Sequence, residues 1–308
     1  MSKSRVLVVH YSSPSGQLSD VIRNLTEPLG EAGLEVHHLV LRPKQPYPFP
    51  WPVLRFFDTF PETIYLDPPE NEPLGLGRNE RFDLVILGYQ VWFLSPSLPT
   101  AAFLKDAQAQ AILKDTPVVT VIACRDMWLM AQERVKELLA ACGAKLVGNV
   151  VLVDEGGSVG SLIATPLWML TGKRGPRWGG LIPRAGVNPK QIQASRRFGE
   201  RIASVLTRGG ALDAGLLQGL GAVKVNTRLI TTEKAARRSF LAWGALLRKL
   251  GPQGAWQRMP VVLFYIFFLI ALLLTVLPLS MLLKTLTAPL LRSRIAAQQA
   301  YFSQPSGE

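Results

Sequence analysis

The sequence has few of the residues that build metal clusters and disulfide frameworks. Its 308 residues include two cysteines, Cys124 and Cys142, and three histidines, His10, His37 and His38. Zinc clusters need several such ligands at close spacing, so the composition excludes them and predicts no metal site. Two unpaired thiols also argue against a disulfide scaffold and indicate a reducing compartment.

The N-terminus lacks the pattern of a secretory signal peptide. Residues 1–5 are polar, and the apolar run that follows has four residues. A signal peptide needs a hydrophobic region of about 7–15 residues. The first domain is therefore expected to stay in the cytoplasm.

Acidic residues are scarce in the second half of the chain. Residues 151–308 carry 20 Lys and Arg against 6 Asp and Glu, a net of +14, whereas residues 1–150 carry 14 against 16, a net of −2. An anionic partner is therefore expected at the second half. Nucleic acid fits this half poorly, because its positive charge is concentrated around an apolar span.

Apolar runs alternate with helical patterns through the first two thirds of the chain. The runs, which are typical of buried parallel strands, begin at Val6, Leu34, Phe82, Thr116 and Lys145. This alternation predicts an α/β fold, a doubly wound five-stranded parallel sheet with helices on both faces. A helix from residue 188 to 208 should complete the domain, which is expected to span residues 1–210 and to bind a ligand at the carboxyl ends of its strands.

The first apolar run leads into a loop rich in hydroxyl groups. Ser12, Ser13, Ser15 and Gly16 follow the strand and precede a helical pattern. Backbone N–H groups of such a loop, with those at the start of the next helix, can converge on a phosphate. A plain strand–turn–helix, with a serine as N-cap, is the alternative interpretation. A Rossmann-type dinucleotide site is not expected, because the loop has one glycine instead of three and the second strand ends at Arg42 instead of an acid.

The third and fourth strands end on aromatic and polar side chains. These are Tyr89, Gln90, Trp92, Phe93, Ser95 and Ser97 after the third strand, and Arg125, Asp126, Met127 and Trp128 after the fourth. Taken singly, each aromatic is more often a core residue than part of a binding site. Beside the first loop, however, the set predicts a site for a phosphorylated planar ring.

At these loops the sequence resembles flavodoxin-like proteins and NAD(P)H-dependent flavin or quinone oxidoreductases. Residues 11–17, Tyr-Ser-Ser-Pro-Ser-Gly-Gln, are similar to the FMN phosphate loop, and residues 88–92, Gly-Tyr-Gln-Val-Trp, are similar to the first loop around the flavin ring. The resemblance implies the strand order 2-1-3-4-5, FMN as the cofactor and NAD(P)H as a co-substrate. One position departs from the pattern: Leu18 stands where flavodoxins usually have a hydroxyl residue, which removes one donor to the phosphate unless Ser19 replaces it.

The resemblance also implies a set of site residues. Those expected to bind FMN are Ser12, Ser13, Ser15, Gly16, Gln17, Gln90, Val91, Trp92, Phe93, Cys124, Arg125, Met127 and Trp128. Tyr89, Arg125 and Asp126 are the candidates for polar groups near the reacting ring. No residue is assigned as a catalytic acid or base, because hydride or electron transfer would belong to the flavin.

A narrower resemblance concerns the possible substrate. Residues 11–18, the run Pro48-Phe49-Pro50-Trp51 and residues 124–128, Cys-Arg-Asp-Met-Trp, are similar to flavodoxin-like proteins grouped with dialkylresorcinol biosynthesis. This resemblance implies oxidation of a dialkylcyclohexanedione to a resorcinol. The broader one implies reduction of a quinone by NAD(P)H.

Two irregular segments interrupt the predicted domain. Residues 42–81 carry nine prolines and seven aromatic residues, which argues against disorder and predicts an ordered cover packed on the first domain. The alternative is a stiff excursion that buries only its own aromatics. Residues 155–182 are rich in glycine and include an apolar stretch, 162–170, that could contact an interface or line a pocket; a plain surface loop is the alternative.

A basic amphipathic helix is predicted in the segment 211–258. Over residues 231–250 the cations fall on one side of a helical wheel and the apolar residues, with Trp243, on the other. This pattern is typical of a helix that lies on an anionic membrane, so the segment is expected at a lipid surface. Docking of this helix on the sheet domain would produce the same pattern.

An uncharged run of 23 residues, 261–283, follows. As a helix it is roughly 35 Å long, enough to cross a bilayer core of about 30 Å. One transmembrane helix is therefore predicted over residues 259–285, with Trp256, Arg258 and Lys284 as interface anchors and a polar tail at 286–308. Pro278 could instead bend the run into a re-entrant loop, and a buried core helix is the remaining alternative.

Two functions remain open at this point. The leading hypothesis is a membrane-anchored, FMN-dependent oxidoreductase that acts on a lipophilic cyclic substrate, with its catalytic domain on the cytoplasmic side of a bacterial-type inner membrane. The alternative is a non-catalytic electron carrier of the flavodoxin type beside a membrane partner. A phosphoacceptor receiver domain is not expected, because His10 and Gly88-Tyr89 stand where that domain needs acidic residues. The sequence leaves the oligomeric state open.

Overall fold

A computed structural model of the chain describes residues 3–13, 15–77, 80–154, 157–275 and 291–307, and of residues 157–162 and 273 it describes the backbone alone. Its parallel sheet consists of β1 (Arg5–Tyr11), β2 (Glu35–Leu41), β3 (Leu84–Tyr89), β6 (Pro117–Cys124) and β7 (Lys145–Val153). A two-residue hairpin, β4 (Val91–Trp92) with β5 (Ser95–Pro96), stands apart from it. The sheet order is β2-β1-β3-β6-β7, which is 2-1-3-4-5 when the hairpin is not counted. The predicted sheet is therefore confirmed, and its order is that of the flavodoxin-like fold.

The register of the sheet brings the strand ends to one edge. His10 pairs with Val40 of β2 and with Gly88 of β3, and Tyr89 pairs with Ile122 of β6. All of these pairings are parallel, so the loops after β1, β3 and β6 leave the sheet on the same side. That edge is where the order of the strands reverses, between β1 and β3.

The helices are named in chain order. They are α1 (Gln17–Glu31), α2 (Val53–Asp58), α3 (Phe60–Ile64), α4 (Leu98–Lys105), α5 (Ala107–Leu113), α6 (Leu129–Ala141), α7 (Gly157–Thr171), α8 (Pro189–Ala194), α9 (Arg196–Thr207), α10 (Thr227–Lys249), α11 (Met259–Leu274) and α12 (Arg292–Ser303). Single 3₁₀ turns lie at Trp178–Gly180 and Trp256–Arg258.

Helices cover both faces of the sheet because its central strands, such as β1 and β3, are apolar on both faces. In β1, Val6 and Val8 pack against the helices α1 and α9. The alternate residues, Leu7 and Val9, pack on the other face against α4, α5 and α6. The alternation follows from the two-residue period of a strand. Gly199 lets α9 approach α1 closely, since a Cβ at this position would lie 1.8 Å from the carbonyl oxygen of Leu25.

The insertion 42–81 is ordered and carries α2 and α3. These short helices pack against α10 and α11 around a small core of buried side chains, Phe60, Ile64, Leu247, Val262 and Tyr265. The insertion thus joins the sheet domain to the C-terminal third of the chain. The prediction of an ordered cover fits this arrangement better than an excursion that buries only its own aromatics.

Helix α10 docks on protein, which was the alternative interpretation of its amphipathic pattern. Glu233 is buried and accepts a hydrogen bond from the backbone N–H of Met130, at the start of α6, at 2.9 Å. Trp243, which was expected to face lipid, has its ring 5.4 Å from that of Tyr265 and 5.2 Å from that of Phe268. The apolar side of α10 is covered by α3 and α11, so a surface helix free to lie on lipid is corrected to a docked one.

Helix α11 covers part of the predicted transmembrane run. It has 16 residues, and among the residues that the structure describes no helix is both long and apolar enough to cross a membrane. Residues 276–290, with Pro278 and Lys284, lie outside the described residues. The exposed apolar side chains of α11 share one side of the helix and are Leu263, Phe264, Phe267, Ile270 and Leu274.

Helix α12 packs back on the sheet domain. The Tyr301 hydroxyl donates to Glu133 of α6 at 2.6 Å, and the Ser306 hydroxyl accepts the backbone N–H of Asn149, in β7, at 2.7 Å. A single crossing of a bilayer would place this helix on the opposite side from the sheet. The described part of the predicted polar tail, 286–308, therefore includes a helix that packs on the sheet domain, and no helix of the described residues matches the predicted transmembrane helix.

Candidate active site

A cavity of about 190 Å³ lies at the carboxyl edge of the sheet. Its floor is formed by the loops after β1, β3 and β6, and its cover is formed by the insertion 42–81 and the segment 165–186. The predicted site residues that line it are Ser13, Ser15, Gln17, Gln90, Val91, Trp92, Phe93, Cys124 and Arg125. The structure thus brings together residues from all three predicted loops.

The loop after β1 turns on itself before α1 begins. The N–H of Ser13 donates to the carbonyl of Tyr11 at 3.2 Å, and the N–H of Gly16 donates to the carbonyl of Ser13 at 2.9 Å. Gly16 has a φ of 71°, in the left-handed region that glycine adopts without strain. The Ser13 and Ser15 hydroxyls, 2.7 Å apart, border the cavity beside the uncapped start of α1. Hydroxyl and helix N–H donors thus meet at one end of the cavity.

Two other serines of this region turn away from the cavity. The Ser19 hydroxyl donates to that of Ser12 at 3.0 Å and lies 3.2 Å from Nε2 of His10. These three side chains line a separate groove of about 600 Å³ between α1 and β2. Leu18, by contrast, is buried and contributes to both the cavity and the core. Ser12 and Ser19 therefore supply no hydroxyl to the cavity, and Ser19 does not replace the donor that Leu18 lacks.

Aromatic rings from three segments form a wall of the cavity. The ring of Trp92 lies 5.0 Å from that of Tyr47 and 5.7 Å from that of Trp51, both at nearly right angles. Tyr11 contacts the other side of Trp92 at 6.1 Å. Edge-to-face contacts of this kind hold aromatic rings in fixed orientations. The wall around Trp92 was predicted, whereas the roles of Tyr47 and Trp51 were foreseen only as part of an unspecified cover.

Polar atoms without partners face this cavity. The side chain of Gln90 donates through Nε2 to the carbonyl of Tyr11 at 2.9 Å, while its Oε1 is buried with no hydrogen-bond partner among the described residues. The Tyr47 hydroxyl is also buried and has no hydrogen-bond partner among the described residues. Buried polar atoms are nearly always paired in folded proteins, so an orphan acceptor and an orphan hydroxyl at one cavity indicate a ligand that satisfies them.

Arg125 provides the positive charge in the lining of the cavity. Its Nη2 lies 3.6 Å from the sulfur of Met127, and burial lowers the pKa of its guanidinium. Cys124 lies beside it, and burial raises the pKa of that thiol well above its usual range, so the thiol stays neutral. A neutral thiol is a poorer nucleophile than a thiolate.

Two of the three polar candidates for the reacting ring lie elsewhere. Tyr89 is fully buried, and its hydroxyl donates to Oε1 of Gln132 at 2.6 Å beneath the sheet edge. Asp126 accepts the N–H of Met127 at 3.0 Å and the side-chain amide of Asn226, also at 3.0 Å. Tyr89 is corrected to a core residue because its place on the strand turns it toward a packed face, and Asp126 is corrected to a group that holds its own loop.

Trp128 and Met127 also lie outside the lining of the cavity. Trp128 is one of the largest fully buried side chains and belongs to the core under α6, and neither residue borders the cavity. Met127 packs partly buried on the same core. The loop after β6 thus offers Cys124 and Arg125 to the site, while its aromatic residue anchors the start of α6.

The two covering segments are bonded to each other above the cavity. The N–H of Trp51 donates to the carbonyl of Met169 at 2.8 Å, and the ring of Phe49 lies 6.2 Å from that of Trp168. Asp154, at the end of β7, accepts the N–H of Gly186 at 2.9 Å through its carboxylate. The glycine-rich segment therefore forms a wall of the pocket, which agrees with one of the interpretations of its sequence.

A further cation that the sequence interpretation missed reaches the loop after β1. Nη2 of Arg174 donates to the carbonyl of Ser15 at 2.9 Å, and its guanidinium stacks over the ring of Trp168 at 4.7 Å. The two bonded residues are separated by 159 positions, so no local pattern could link them. The one available signal was the absence of acidic residues from 156 to 199, which marks that stretch as an anion-binding surface.

The cavity is small for a complete flavin nucleotide. Pockets for drug-sized ligands usually measure about 300–1,000 Å³, whereas this one measures about 190 Å³. Its donor serines, aromatic walls and orphan acceptor match the chemistry of FMN, but a ligand of that size requires the cover to move outward. Residues 47–51 and 165–174 are the parts that would have to shift.

No protein-family profile and no curated protein sequence matches this chain. Among solved structures, it is similar to a flavoprotein in complex with FMN from Lactobacillus acidophilus, at 16% identity over 49% of this chain and 93% of the other, with a TM-score of 0.39. It is also similar to a flavodoxin from the domain Archaea, at 11% identity over 66% and 99%, with a TM-score of 0.34. A flavone reductase matches at 14% identity over 68% and 67%, with a TM-score of 0.35. Similarity at such low sequence identities and TM-scores does not assign a function to this chain.

Proposed function

We propose that this protein binds FMN at the carboxyl edge of its sheet and works as an FMN-dependent oxidoreductase. The observation that carries the proposal is the meeting of the serine loop and the Trp92 wall in one cavity at the point where the strand order reverses. A bound flavin would supply the hydride or electron chemistry, and the protein would supply position, charge and exclusion of water.

The described residues divide the task of holding this cofactor. Ser13, Ser15 and the start of α1 are suited to the phosphate, because their donors meet at one end of the cavity. Trp92 and Tyr47 are suited to the faces or edges of the ring. The orphan Oε1 of Gln90 is suited to a ring N–H, and this contact would satisfy an atom that otherwise has no partner.

We propose further that the substrate is a lipophilic cyclic compound and that NAD(P)H supplies the electrons if the reaction is a reduction. The support is the apolar and aromatic character of the cover. Quinone reduction and oxidation of a dialkylcyclohexanedione to a resorcinol are the two reactions that the resemblances imply. An electron carrier would use the same cofactor without turning over a small substrate.

Membrane lipid is the proposed partner of α11. Five apolar side chains are exposed on one side of this helix, and Trp256 at its start is 76% exposed. Exposed apolar surface of this kind usually marks a contact with lipid or protein. Because α12 returns to the sheet domain, we propose attachment from one side of the bilayer. Protease digestion of sealed vesicles should cleave tags at both termini equally; protection of the C-terminal tag alone would contradict one-sided attachment.

The proposal is tested by the colour and the turnover of the purified protein. The protein, isolated in detergent, should show flavin absorption or should acquire it on addition of FMN, and the released chromophore should be FMN. NAD(P)H oxidation is then measured with a soluble quinone and a cyclohexanedione as the substrates. A colourless protein that rejects FMN would overturn the proposal, and a flavoprotein without turnover would point to the electron carrier.

A further inference from the structure

We infer that Arg174 completes the phosphate end of the FMN site and supplies the positive charge that binds the phosphate. This inference rests on the proposed FMN site, which it deepens. It concerns a residue from outside the sheet loops, on the glycine-rich segment that closes the cavity.

The loop after β1 has too few donors of its own for a phosphate. The N–H groups of Ser13 and Gly16 are already bonded to carbonyls of the same loop. Leu18 offers no hydroxyl, and the Ser12 and Ser19 hydroxyls are bonded to each other in the groove on the other side. The Ser13 and Ser15 hydroxyls, which are hydrogen-bonded to each other at 2.7 Å, and the start of α1 remain. A phosphate monoester carries a charge of about −1.5 to −2 at neutral pH, so a cation is needed to balance it.

Arg174 does not itself line the cavity, but it reaches the loop that does. Its guanidinium donates to the carbonyl of Ser15, the residue whose hydroxyl borders the cavity. One N–H group is used in this bond, and a guanidinium has five in a planar fork that suits phosphate oxygens. Arg184 lies near enough to add to the positive potential.

The surrounding structure holds the guanidinium at this position. It stacks on Trp168, which is itself buried between Phe49 and the segment 182–185. The backbone of Arg174 is fixed as well, since its carbonyl accepts the N–H of Ala185 at 2.8 Å. A side chain held at both ends is preorganised, which lowers the entropic cost of binding an anion.

No carboxylate neutralises this cation. Among the described residues none of the ion pairs within 4.0 Å involves Arg174, and Asp20, the acid that influences it, is instead 3.5 Å from Arg23. An arginine that only joins the cover to the loop after β1 would have no reason to lie beside donors suited to an anion. Arg174 lies beside the serine loop and near the start of α1, which is the environment of a phosphate site.

The test compares two ligands that differ only in the phosphate. FMN and riboflavin are titrated against the full chain and its Arg174→Gln variant, with flavin fluorescence as the readout. The variant should bind FMN about 10- to 100-fold more weakly, as expected for the loss of a hydrogen bond between charged groups. Its affinity for riboflavin should change by less than about threefold.

Arg177→Gln is the matched control, because Arg177 lies on the same segment but donates to Thr171 and not to the loop. It should leave both affinities unchanged. Inorganic phosphate provides a second measurement: it should compete with FMN for the unmodified chain, and this competition should weaken in Arg174→Gln. Circular dichroism establishes that each variant is folded.

Four outcomes would overturn the inference. Equal loss of FMN and riboflavin would make Arg174 a latch of the cover, and unchanged FMN binding would exclude any contact with the phosphate. If Arg177→Gln weakened FMN binding as much as Arg174→Gln, the loss would come from the lower positive charge of the segment and not from a specific contact of Arg174. If the unmodified chain bound riboflavin and FMN with equal affinity, the phosphate subsite would be absent while the ring site of the proposed function survived. If it bound neither flavin, the proposed function itself would fail.

Discussion

Nε of Arg258 lies 3.0 Å from Oδ1 of Asp58, although the two residues are 200 positions apart and their side chains are only 0% and 4% exposed. The guanidinium also contacts Glu62 through Nη1, at 2.9 Å. The ion pair fixes the start of α11 to the helices of the insertion. Because the insertion also carries Tyr47 and Trp51 of the cavity wall, the contact connects the C-terminal third of the chain to the proposed site.

Replacing Arg258 by methionine should strongly destabilise the protein. The change leaves Asp58 and Glu62 buried without their cation, and loss of one partner of a buried ion pair costs roughly 3–5 kcal/mol. Urea unfolding measures the loss. Arg248→Met is the control, since its pair with Asp67 is more exposed and is expected to contribute less than about 1 kcal/mol. Similar losses in the two variants would contradict a special role for the buried pair.

The stability of the protein should fall in acid because of His10. Burial, and to a lesser extent the nearby His38, lower the pKa of His10 from 6.5 to about 4 in the folded state. Between pH 6.5 and pH 4 the unfolded chain therefore binds more protons at this position than the folded chain. The free energy of unfolding should decrease by up to about 3 kcal/mol as the pH falls through this range. In His10→Gln this pH-dependent part of the unfolding free energy should be absent. Urea unfolding of both proteins at pH 7 and pH 4.5 measures the difference. Parallel pH profiles for the two proteins would refute the assignment to His10.

Glu233 should produce a dependence of the opposite sign. Burial raises the pKa of this carboxyl from 4.5 to about 8, so the folded chain binds more protons here between these values. The contribution of Glu233 to stability is therefore greatest below pH 4.5 and should decline as the pH rises to 8, by roughly 3–5 kcal/mol. Glu233→Gln keeps an acceptor for the N–H of Met130 and should remove the decline. The measured quantity is the difference in unfolding free energy between variant and parent at pH 5 and pH 8, and a constant difference would count against this assignment.

The indole of Trp92 should contribute to flavin binding. Trp92→Leu removes a ring that lies at nearly right angles to the rings of Tyr47 and Trp51. The loss of this aromatic surface is expected to weaken the affinity for FMN about tenfold. Trp178→Leu is the control because Trp178 is 77% exposed and lies outside the lining of the cavity. Fluorescence titration with FMN gives both affinities. Equal affinities for the two variants would remove Trp92 from the site.

The exposed side of α11 should govern attachment to lipid. The double change Phe264→Ser and Phe267→Ser removes two large exposed apolar side chains, and each buried aromatic contributes about 1.5–3 kcal/mol when it leaves water. Co-sedimentation with vesicles that contain anionic lipid should fall at least about tenfold. The matched control is the double change Val53→Ser and Leu54→Ser, which removes two exposed apolar side chains from α2. This control should bind the vesicles as well as the unmodified chain does. Undiminished binding by the α11 variant would assign the contact to another surface.

The sequence by itself determined the parallel sheet and the serine loop, while the order of the strands was implied by the resemblance to flavodoxin-like proteins. The sheet and the loop follow from local signals: continuous apolar runs, helical spacing between them, and a hydroxyl-rich loop at the end of the first run. The sequence also indicated that the aromatic insertion is ordered. In each case the cause lies within a few neighbouring residues, so periodicity and composition were sufficient.

The tertiary structure alone decided which side chains reach the cavity and how the final third is arranged. Tyr89 and Arg125 both follow strands, yet the first is packed in the core and the second borders the cavity. Arg174 joins the loop across 159 positions, and Arg258 joins the insertion across 200. The amphipathic pattern of α10 suits lipid and protein equally well. Contacts between distant segments, and the partner that covers an apolar face, are properties of packing that no local pattern encodes.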